Sequence, residues 1–337
     1  MRGQGNSKTR IAVLGDGGWG TTLAIHLRNK GFQVSLWGAF SDYVSYLNKK
    51  RINTKFLAGI KIPENILITD DIHKAVKDAG IIIAAAPSQF LRKVVRLLKD
   101  IDLSDKIIVS VTKGIENPTL LRMTEVIHEE LGRNRRLAVL SGPTIAQELA
   151  RGIPTTAVIA SHDNVLNKYL QDIFMAEHFR IYTNDDVIGV ELGGSLKNII
   201  AISCGISDGL GFGTNAKAAI LTRGLVEITR LGVKMGARKE TFSGLSGLGD
   251  LATTCISHLS RNRFVGEQIG KGKSVKEVTA HLQMVAEGIA TTKAAHRLSR
   301  KYNVDMPITR EVYNVIYKNK NPLKAVKDLM TREKKGE

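Results

Sequence analysis

The sequence predicts an α/β chain: a mostly parallel β-sheet flanked by helices, followed by an all-α region. Three observations carry that prediction. Short apolar runs rich in β-branched residues alternate with amphipathic helical patterns from Ile11 to Thr183, as expected of a parallel sheet covered on both faces. The first run, Ile11-Ala12-Val13-Leu14, meets a glycine-dense turn and then a helical pattern, with Gly15, Gly17 and Gly20 in the spacing G-x-G-x-x-G. After Thr183 no convincing strand pattern appears and helical periodicity takes over. Together these describe a Rossmann-like domain over residues 1–190 and a C-terminal helical domain over residues 191–337. The 337 residues also exceed the size at which a single core stops growing.

Each element has its own signal. A strand over Ile11 to Leu14 and a helix over Thr21 to Lys30 bracket the glycine turn, and a strand over Gln33 to Trp37 follows Gly31 at the spacing a βαβ unit needs. Ser41 to Lys50 reads as a short helix, Ile66 to Thr69 as a strand and Asp71 to Lys77 as helical. The continuous apolar run Ile81 to Ala86 is a strand buried on both faces, ending at Pro87-Ser88. Helix Phe90 to Lys99, strand Lys106 to Val111, helix Leu120 to Leu131 and strand Leu137 to Leu140 follow. Strand Thr155 to Ala160, helix Val165 to Phe174 and strand Phe179 to Thr183 complete the sheet. Beyond them helices are expected over Val187–Ser207, Asn215–Leu231, Ser274–Gln283, Thr291–Tyr302, Thr309–Tyr317 and Pro322–Met330, the first capped by Asn184-Asp185-Asp186.

The three glycines imply dinucleotide binding. The first permits the tight strand-to-helix turn, the second lets the backbone approach a pyrophosphate, and the third lets helix and strand pack closely. The pyrophosphate would lie on the helix N-terminus, where unpaired N–H groups and the helix dipole favour anions. The second strand ends in Trp37-Gly38-Ala39-Phe40-Ser41, with no carboxylate before Asp42 to bind ribose hydroxyls, which leans toward tolerance of a 2′-phosphate, and no Arg to meet one, which keeps that lean mild.

The composition narrows the function further. The net charge of +17 favours anionic partners such as phosphorylated metabolites, although a solvated basic surface accounts for it equally well. Aromatic residues make up only 5%, and the basic clusters Lys49-Lys50-Arg51 and Arg332 to Lys335 lack the interleaved aromatics of a single-strand binding platform. Cys204 and Cys255 show no metal-ligand spacing, so neither a zinc site nor any other metal site is expected. Polar residues open the chain and no uninterrupted apolar run reaches the roughly 20 residues a bilayer span requires, so a cytoplasmic protein without membrane insertion is expected.

Three clusters in the helical region carry candidate chemistry. In Gly193-Gly194-Ser195-Leu196-Lys197-Asn198, two glycines inside a helix cost roughly 1 kcal/mol each relative to alanine, which suggests a close approach there. Lys197 is either a desolvated acid/base group or a lysine snorkelling to the surface. In Gly244 to Thr254, a glycine-rich loop leads into a helix, and Asp250 reads first as its N-cap. Ser260-Arg261-Asn262-Arg263 has the residue types of an oxyanion clamp, or of a basic turn.

These stretches occur in one order. Gly15 to Gly20, Lys113-Gly114, Ser141-Gly142-Pro143-Thr144, Gly194 to Asn198, Gly247-Leu248-Gly249-Asp250-Leu251, Ser260 to Arg263 and Val285-Ala286-Glu287-Gly288 are arranged as in the NAD(P)-dependent glycerol-3-phosphate dehydrogenase family. The chain resembles the bacterial biosynthetic type of that family from Ile11 to about Leu329. The resemblance implies that Lys197 exchanges the proton at the reacting oxygen and that Lys113 polarises the carbonyl. It implies substrate contacts from Lys113, Gly142, Thr144, Lys197, Asn198, Asp250, Thr254, Ser260, Arg261 and Asn262. It assigns NAD or NADP to Gly15, Gly17, Gly18, Trp19, Gly20, Lys113, Ala146, Arg261, Val285 and Glu287, and it implies a homodimer. Two departures from the family pattern stand out: Gly18 replaces a usual Ser, and Ala39 replaces a usual His or Arg, which leaves the choice between NAD and NADP open. The rival readings are a ketoacid dehydrogenase of similar architecture, which would recognise a carboxylate, and a nucleic-acid binder, for which no helix-turn-helix or aromatic-basic platform is present.

Overall fold

The computed structural model describes residues 9–133, 135–280, 286–334 and 336. The chain divides into two compact units, Met1–Lys113 with Leu121–Glu191, and Gly114–Leu120 with Leu192–Glu337.

The first unit holds β1 (Arg10–Leu14), α1 (Gly18–Asn29), β2 (Gln33–Trp37), α2 (Ser41–Lys50), β3 (Leu67–Thr69), α3 (Ile72–Val76), β4 (Ala79–Ala84) and α4 (Leu91–Arg96). It continues through β5 (Ile107–Ser110), α5 (Met123–Leu131), β6 (Arg136–Ser141), α6 (Ala146–Ala150), β7 (Thr155–Ala160), α7 (Asn164–Phe174) and β8 (Phe179–Asn184). The strands form one sheet in the order β3-β2-β1-β4-β5-β6-β7-β8. The chain starts at the sheet's centre, builds outward to β3, then returns to β4 beside β1. The first six strands run parallel, with Ile11 opposite both Val34 and Ile81. β7 is antiparallel to β6 and β8 is parallel to β7, so the last two strands reverse the sheet's direction.

Alternation along each strand divides the core in two. Ile11, Val13, Ile81, Ile83, Ile107 and Val109 point to one face, where Leu23 and Leu27 of α1 and Leu166 and Leu170 of α7 cover them. Ala12, Leu14, Ile82, Ala84 and Ile108 point to the other, under α3, α4 and α5. Burial on both faces is why these strands read as unbroken apolar runs. The helix expected from Leu120 begins only at Met123, because Leu120 takes a left-handed conformation (φ +65°) and closes a turn instead.

The second unit is helical: α8 (Val187–Gly209, in this unit from Leu192), α9 (Thr214–Lys234), α10 (Asp250–Ile256), α11 (Arg261–Gly270), α12 (Val275–Ala280), α13 (Glu287–Lys301), α14 (Pro307–Lys318) and α15 (Pro322–Met330). Residues 281–283 of the helix expected over Ser274–Gln283 lie outside the described residues. α8 is long and apolar enough to cross a membrane by length and composition alone, but 89% of its most apolar stretch is buried in protein, as in a core helix. α8 and α11 meet backbone to backbone. A Cβ on Gly205 would lie 2.0 Å from the Arg263 carbonyl oxygen, and one on Gly266 would lie 2.0 Å from that of Ile202. Gly209 and Gly270 repeat the contact one turn on, so two glycines spaced by four on each helix form the crossing. Arg263, buried, ties it with Nε 2.7 Å from Asp208 Oδ2.

Glu227 of α9 is buried and accepts from Ile308 N (2.7 Å), Thr309 N (3.1 Å) and the Thr309 hydroxyl (3.2 Å), capping α14 from a distance. Burial outweighs these donors and pushes its carboxyl up from 4.5 to about 7. The folded state therefore holds this proton more tightly than the unfolded state.

Gly266→Ala should cost about 3 kcal/mol or more, because backbone lies where its methyl must go, and thermal melting of the variant will read this. Glu227 contributes stability that is complete below pH 4.5 and is lost as pH rises through about 7, a loss on the order of 3 kcal/mol. Denaturant titrations across that window should show the decline, and Glu227→Gln should flatten it.

Candidate functional site

In the first unit the glycine turn lies at the carboxyl ends of the central strands. Gly15 N donates to Trp37 O (2.9 Å) and Ala85 N to Leu14 O (2.9 Å), tying the ends of β1, β2 and β4 together. Gly15 has φ +133°, and a Cβ there would lie 2.7 Å from the Ala85 carbonyl oxygen. A Cβ on Gly20 would lie 1.9 Å from the Gly15 carbonyl oxygen. Gly17 differs: its Cβ would meet nothing within 4 Å. The space beside Gly17 adjoins the N-terminus of α1, whose first turn carries no acidic residue. An open cradle at an uncapped twelve-residue helix N-terminus fits a pyrophosphate.

The neighbouring residues refine this picture. A Cβ on Gly18 would lie 2.5 Å from the Phe56 carbonyl oxygen, so Gly18 can offer the cradle only backbone, and a serine would collide with the turn beneath it. Trp19 is half-buried against the sheet's core, and its buried indole Nε1 has no partner among the described residues. The Ala146 carbonyl accepts from Thr22 Oγ1 of α1 at 3.1 Å, which brings the start of α6 to the cradle. Asn53, to which the sequence gives no role, holds the turn in position. Fully buried, it donates to Asp16 O (2.7 Å) and Thr21 Oγ1 (2.8 Å) and accepts from Tyr43 Oη (2.7 Å), locking the turn from behind. It lies in no motif; only the fold shows its reach across 37 residues to Asp16.

Lys113, just beyond β5, donates to Gly142 O (2.9 Å) and Thr144 Oγ1 (3.3 Å). Gly142, at φ +141°, turns the chain after β6 so that its carbonyl meets the ammonium. The structure thus brings Lys113, Gly142 and Thr144 into one cluster.

In the second unit Lys197 is buried, and its Nζ pairs with Asp250 Oδ1 and donates to Thr254 Oγ1 (2.6 Å). The Thr254 hydroxyl donates in turn to Asp250 O (2.7 Å). The surface-snorkelling alternative for Lys197 is thereby excluded. The N-cap reading of Asp250 is corrected as well. The stretch before it is not an open loop: a 3₁₀ turn, Lys239–Ser243, and a π turn, Leu245–Gly249, lead into α10. Gly249 occupies the cap position and Asp250 is the first helical residue, its carboxylate directed to Lys197. The close approach suggested by the glycines is real, since a Cβ on Gly193 would lie 2.4 Å from the Ser246 carbonyl oxygen.

The Ser260–Arg263 cluster divides by role. Ser260 caps α11, its Oγ accepting from Arg263 N at 3.2 Å. Arg261 opens α11; the packing around its guanidinium pushes its pKa down, and the Glu287 carboxylate at the start of α13 partly opposes this. Asn262 is buried and accepts from Gly288 N at 2.9 Å, while a Cβ on Gly288 would lie 2.8 Å from Asn198 O. Arg263 is a structural residue, engaged with Asp208 as described above. Val285, assigned to the cofactor by resemblance, lies outside the described residues.

Comparison with known proteins places this geometry. Residues 10–167 match the model of the NAD-dependent glycerol-3-phosphate dehydrogenase N-terminus and residues 186–327 that of its C-terminus. The chain is 52% identical over 330 residues to the glycerol-3-phosphate dehydrogenase (NAD(P)+) of Chlorobium phaeobacteroides strain BS1, covering 97% of this chain and 99% of that one. It is 51% identical over 328 residues to the enzyme of the same name from Thermoanaerobacter sp. strain X514, covering 97% and 98%. The crystal structure of glycerol-3-phosphate dehydrogenase from Coxiella burnetii superposes with a TM-score of 0.93 at 39% identity, covering 97% of this chain and all of that one. The chain belongs to the NAD(P)-dependent glycerol-3-phosphate dehydrogenase family.

Proposed function

We propose that this chain interconverts dihydroxyacetone phosphate and sn-glycerol 3-phosphate with NAD or NADP, supplying glycerol 3-phosphate for phospholipid synthesis. The observation that carries the reading is the buried Lys197 ammonium held between Asp250 and Thr254. The nicotinamide supplies or accepts the hydride at C2. Lys197 gives its proton to the C2 oxygen in the reducing direction and takes it back in the other. Asp250 holds the ammonium in place. Thr254, fixed by its own bond to the Asp250 carbonyl, sets the rotamer.

The remaining assignments follow the family resemblance and suit the local geometry. Arg261, at the N-terminus of α11 beside Ser260 and Asn262, meets the substrate phosphate, where a guanidinium and a helix N-terminus both favour an anion. Asn198 orients the reacting oxygens. Lys113, with Gly142 and Thr144, polarises the carbonyl. Gly15, Gly17, Gly18, Trp19, Gly20 and Ala146 form the nucleotide cradle, and Arg261 and Glu287 add cofactor contacts. A cytoplasmic homodimer completes the reading, the location on the sequence expectation above and the dimer on the family resemblance alone.

Lys197→Ala should lower kcat by about 10²–10⁴-fold while calorimetry still detects dinucleotide binding; unchanged turnover would remove Lys197 from its role. Arg261→Ala should raise KM for dihydroxyacetone phosphate by about tenfold or more, and a normal KM would argue against the phosphate clamp. Assays with a panel of 2-ketoacids separate this activity from the carboxylate-recognising rival, which predicts turnover with the ketoacids and none with dihydroxyacetone phosphate.

A further inference from the structure

We propose that Asp16 reads the adenosine ribose of the bound dinucleotide and makes this chain select NAD(H) over NADP(H). The inference rests on the dinucleotide reading above and concerns a residue to which the motif gives no role, the variable position between the first two glycines.

The end of β2 lacks the group that usually reads the ribose. In sheets of this type a carboxylate closing the second strand accepts the ribose 2′-hydroxyl, whereas an Arg nearby accommodates a 2′-phosphate. Here β2 is followed by Gly38, Ala39, Phe40 and Ser41, which offer neither a carboxylate nor a cation. The structure supplies the carboxylate from elsewhere. A Cβ on Gly38 would lie 2.4 Å from Asp16 Oδ2 and 2.9 Å from its Cγ, so the Asp16 carboxyl rests directly against the Gly38 α-carbon. It fills the volume that a side chain at the end of β2 would take.

The fit is specific on both sides. Val44 Cγ2 would lie 2.9 Å from the same Cβ, leaving a side chain at position 38 no room to turn away. The Asp16 backbone is held in place, its carbonyl accepting from Asn53 Nδ2 at 2.7 Å and Thr21 Oγ1 at 3.2 Å. Its Oδ2 is buried without a hydrogen-bond partner among the described residues. A buried acceptor without a donor is costly unless a ligand provides one. Burial also holds the Asp16 carboxyl above its ordinary range, opposed first by a hydrogen bond from its own backbone and then by Lys55. A ribose 2′-hydroxyl would donate to this oxygen. A 2′-phosphate would bring further negative charge against it and offer no hydrogen bond at neutral pH. Lys55 is exposed and lies over the Tyr43 ring, 4.6 Å from its centroid.

The test is calorimetric titration of the full-length protein with NADH and with NADPH. The wild type should bind NADH more tightly by about tenfold or more, the worth of one hydrogen bond to a charged acceptor. Asp16→Asn keeps the volume and removes the charge, and Asp16→Ala removes both; each should bring the ratio of the two affinities toward one, chiefly by weakening NADH in Asp16→Ala and by strengthening NADPH in Asp16→Asn. Gly38→Ala, which displaces the carboxylate, should do the same with Asp16 intact. Circular dichroism identifies any variant that fails to fold, and the remaining ones decide the matter. Equal wild-type affinities, or a ratio unchanged in both Asp16 variants, would overturn the proposal. So would a tenfold loss of NADPH binding in Lys55→Ala with no NADH preference in the wild type, since Lys55 would then be reading a 2′-phosphate. A wild-type protein that binds neither dinucleotide would overturn the dinucleotide reading itself.

Discussion

A lysine ammonium buried beside an aspartate is the interaction around which the second unit's polar core is arranged. Removing two charges from water costs several kcal/mol per ion, and their mutual attraction offsets this only when the geometry is close and the remaining polar atoms are satisfied. Lys197, Asp250 and Thr254 meet that condition through a closed set of contacts. The geometry is set one turn earlier. Gly193 of α8 lies against the Ser246 carbonyl, and four residues further along each segment Lys197 meets Asp250. The absence of a side chain at Gly193 thus helps determine where the Lys197 ammonium stands.

The same device recurs wherever position matters. α8 is clamped to α11 by the glycine pairs at 205 and 209 and at 266 and 270, whose lack of Cβ atoms puts helical backbones in contact. That crossing fixes the start of α11, and with it Ser260, Arg261 and Asn262. In the first unit Gly20 permits α1 to approach Gly15, and Gly38 permits Asp16 to lie on the end of β2. Close backbone contact cannot relax as flexible side chains can, so it positions charged groups with little spread. The cost is the chain entropy that each glycine carries into the folded state.

Charge pairing gives the buried ions distinct roles. Arg263 spends its guanidinium on Asp208, whereas Arg261, two residues earlier, feels the Glu287 carboxylate instead. In sequence the two arginines are alike, since both sit in a basic run before a helical stretch. The turn of α11 separates them, sending one toward α8 and the other outward. The basic excess of the chain, +17 overall, suits an enzyme of phosphorylated ligands, although two such ligands do not require all of it.

The strands were legible because burial on both faces of a parallel sheet leaves continuous apolar runs, and the helices because their buried stripe repeats with the helical period. The glycine turn and the order of short motifs were enough to place the chain in its family. What sequence could not determine concerns pairs of residues far apart along the chain. The reversal at β7 leaves no mark in hydrophobicity, because a buried strand looks alike in either direction. Asp250 satisfies the rules for a helix cap, and only the π turn before it directs the carboxylate to Lys197 instead. Asn53, and the contact between Asp16 and Gly38, carry no local signature at all. Local pattern reports which face of an element is buried; which atoms then meet across that face is decided by packing, and packing exists only once the chain is folded.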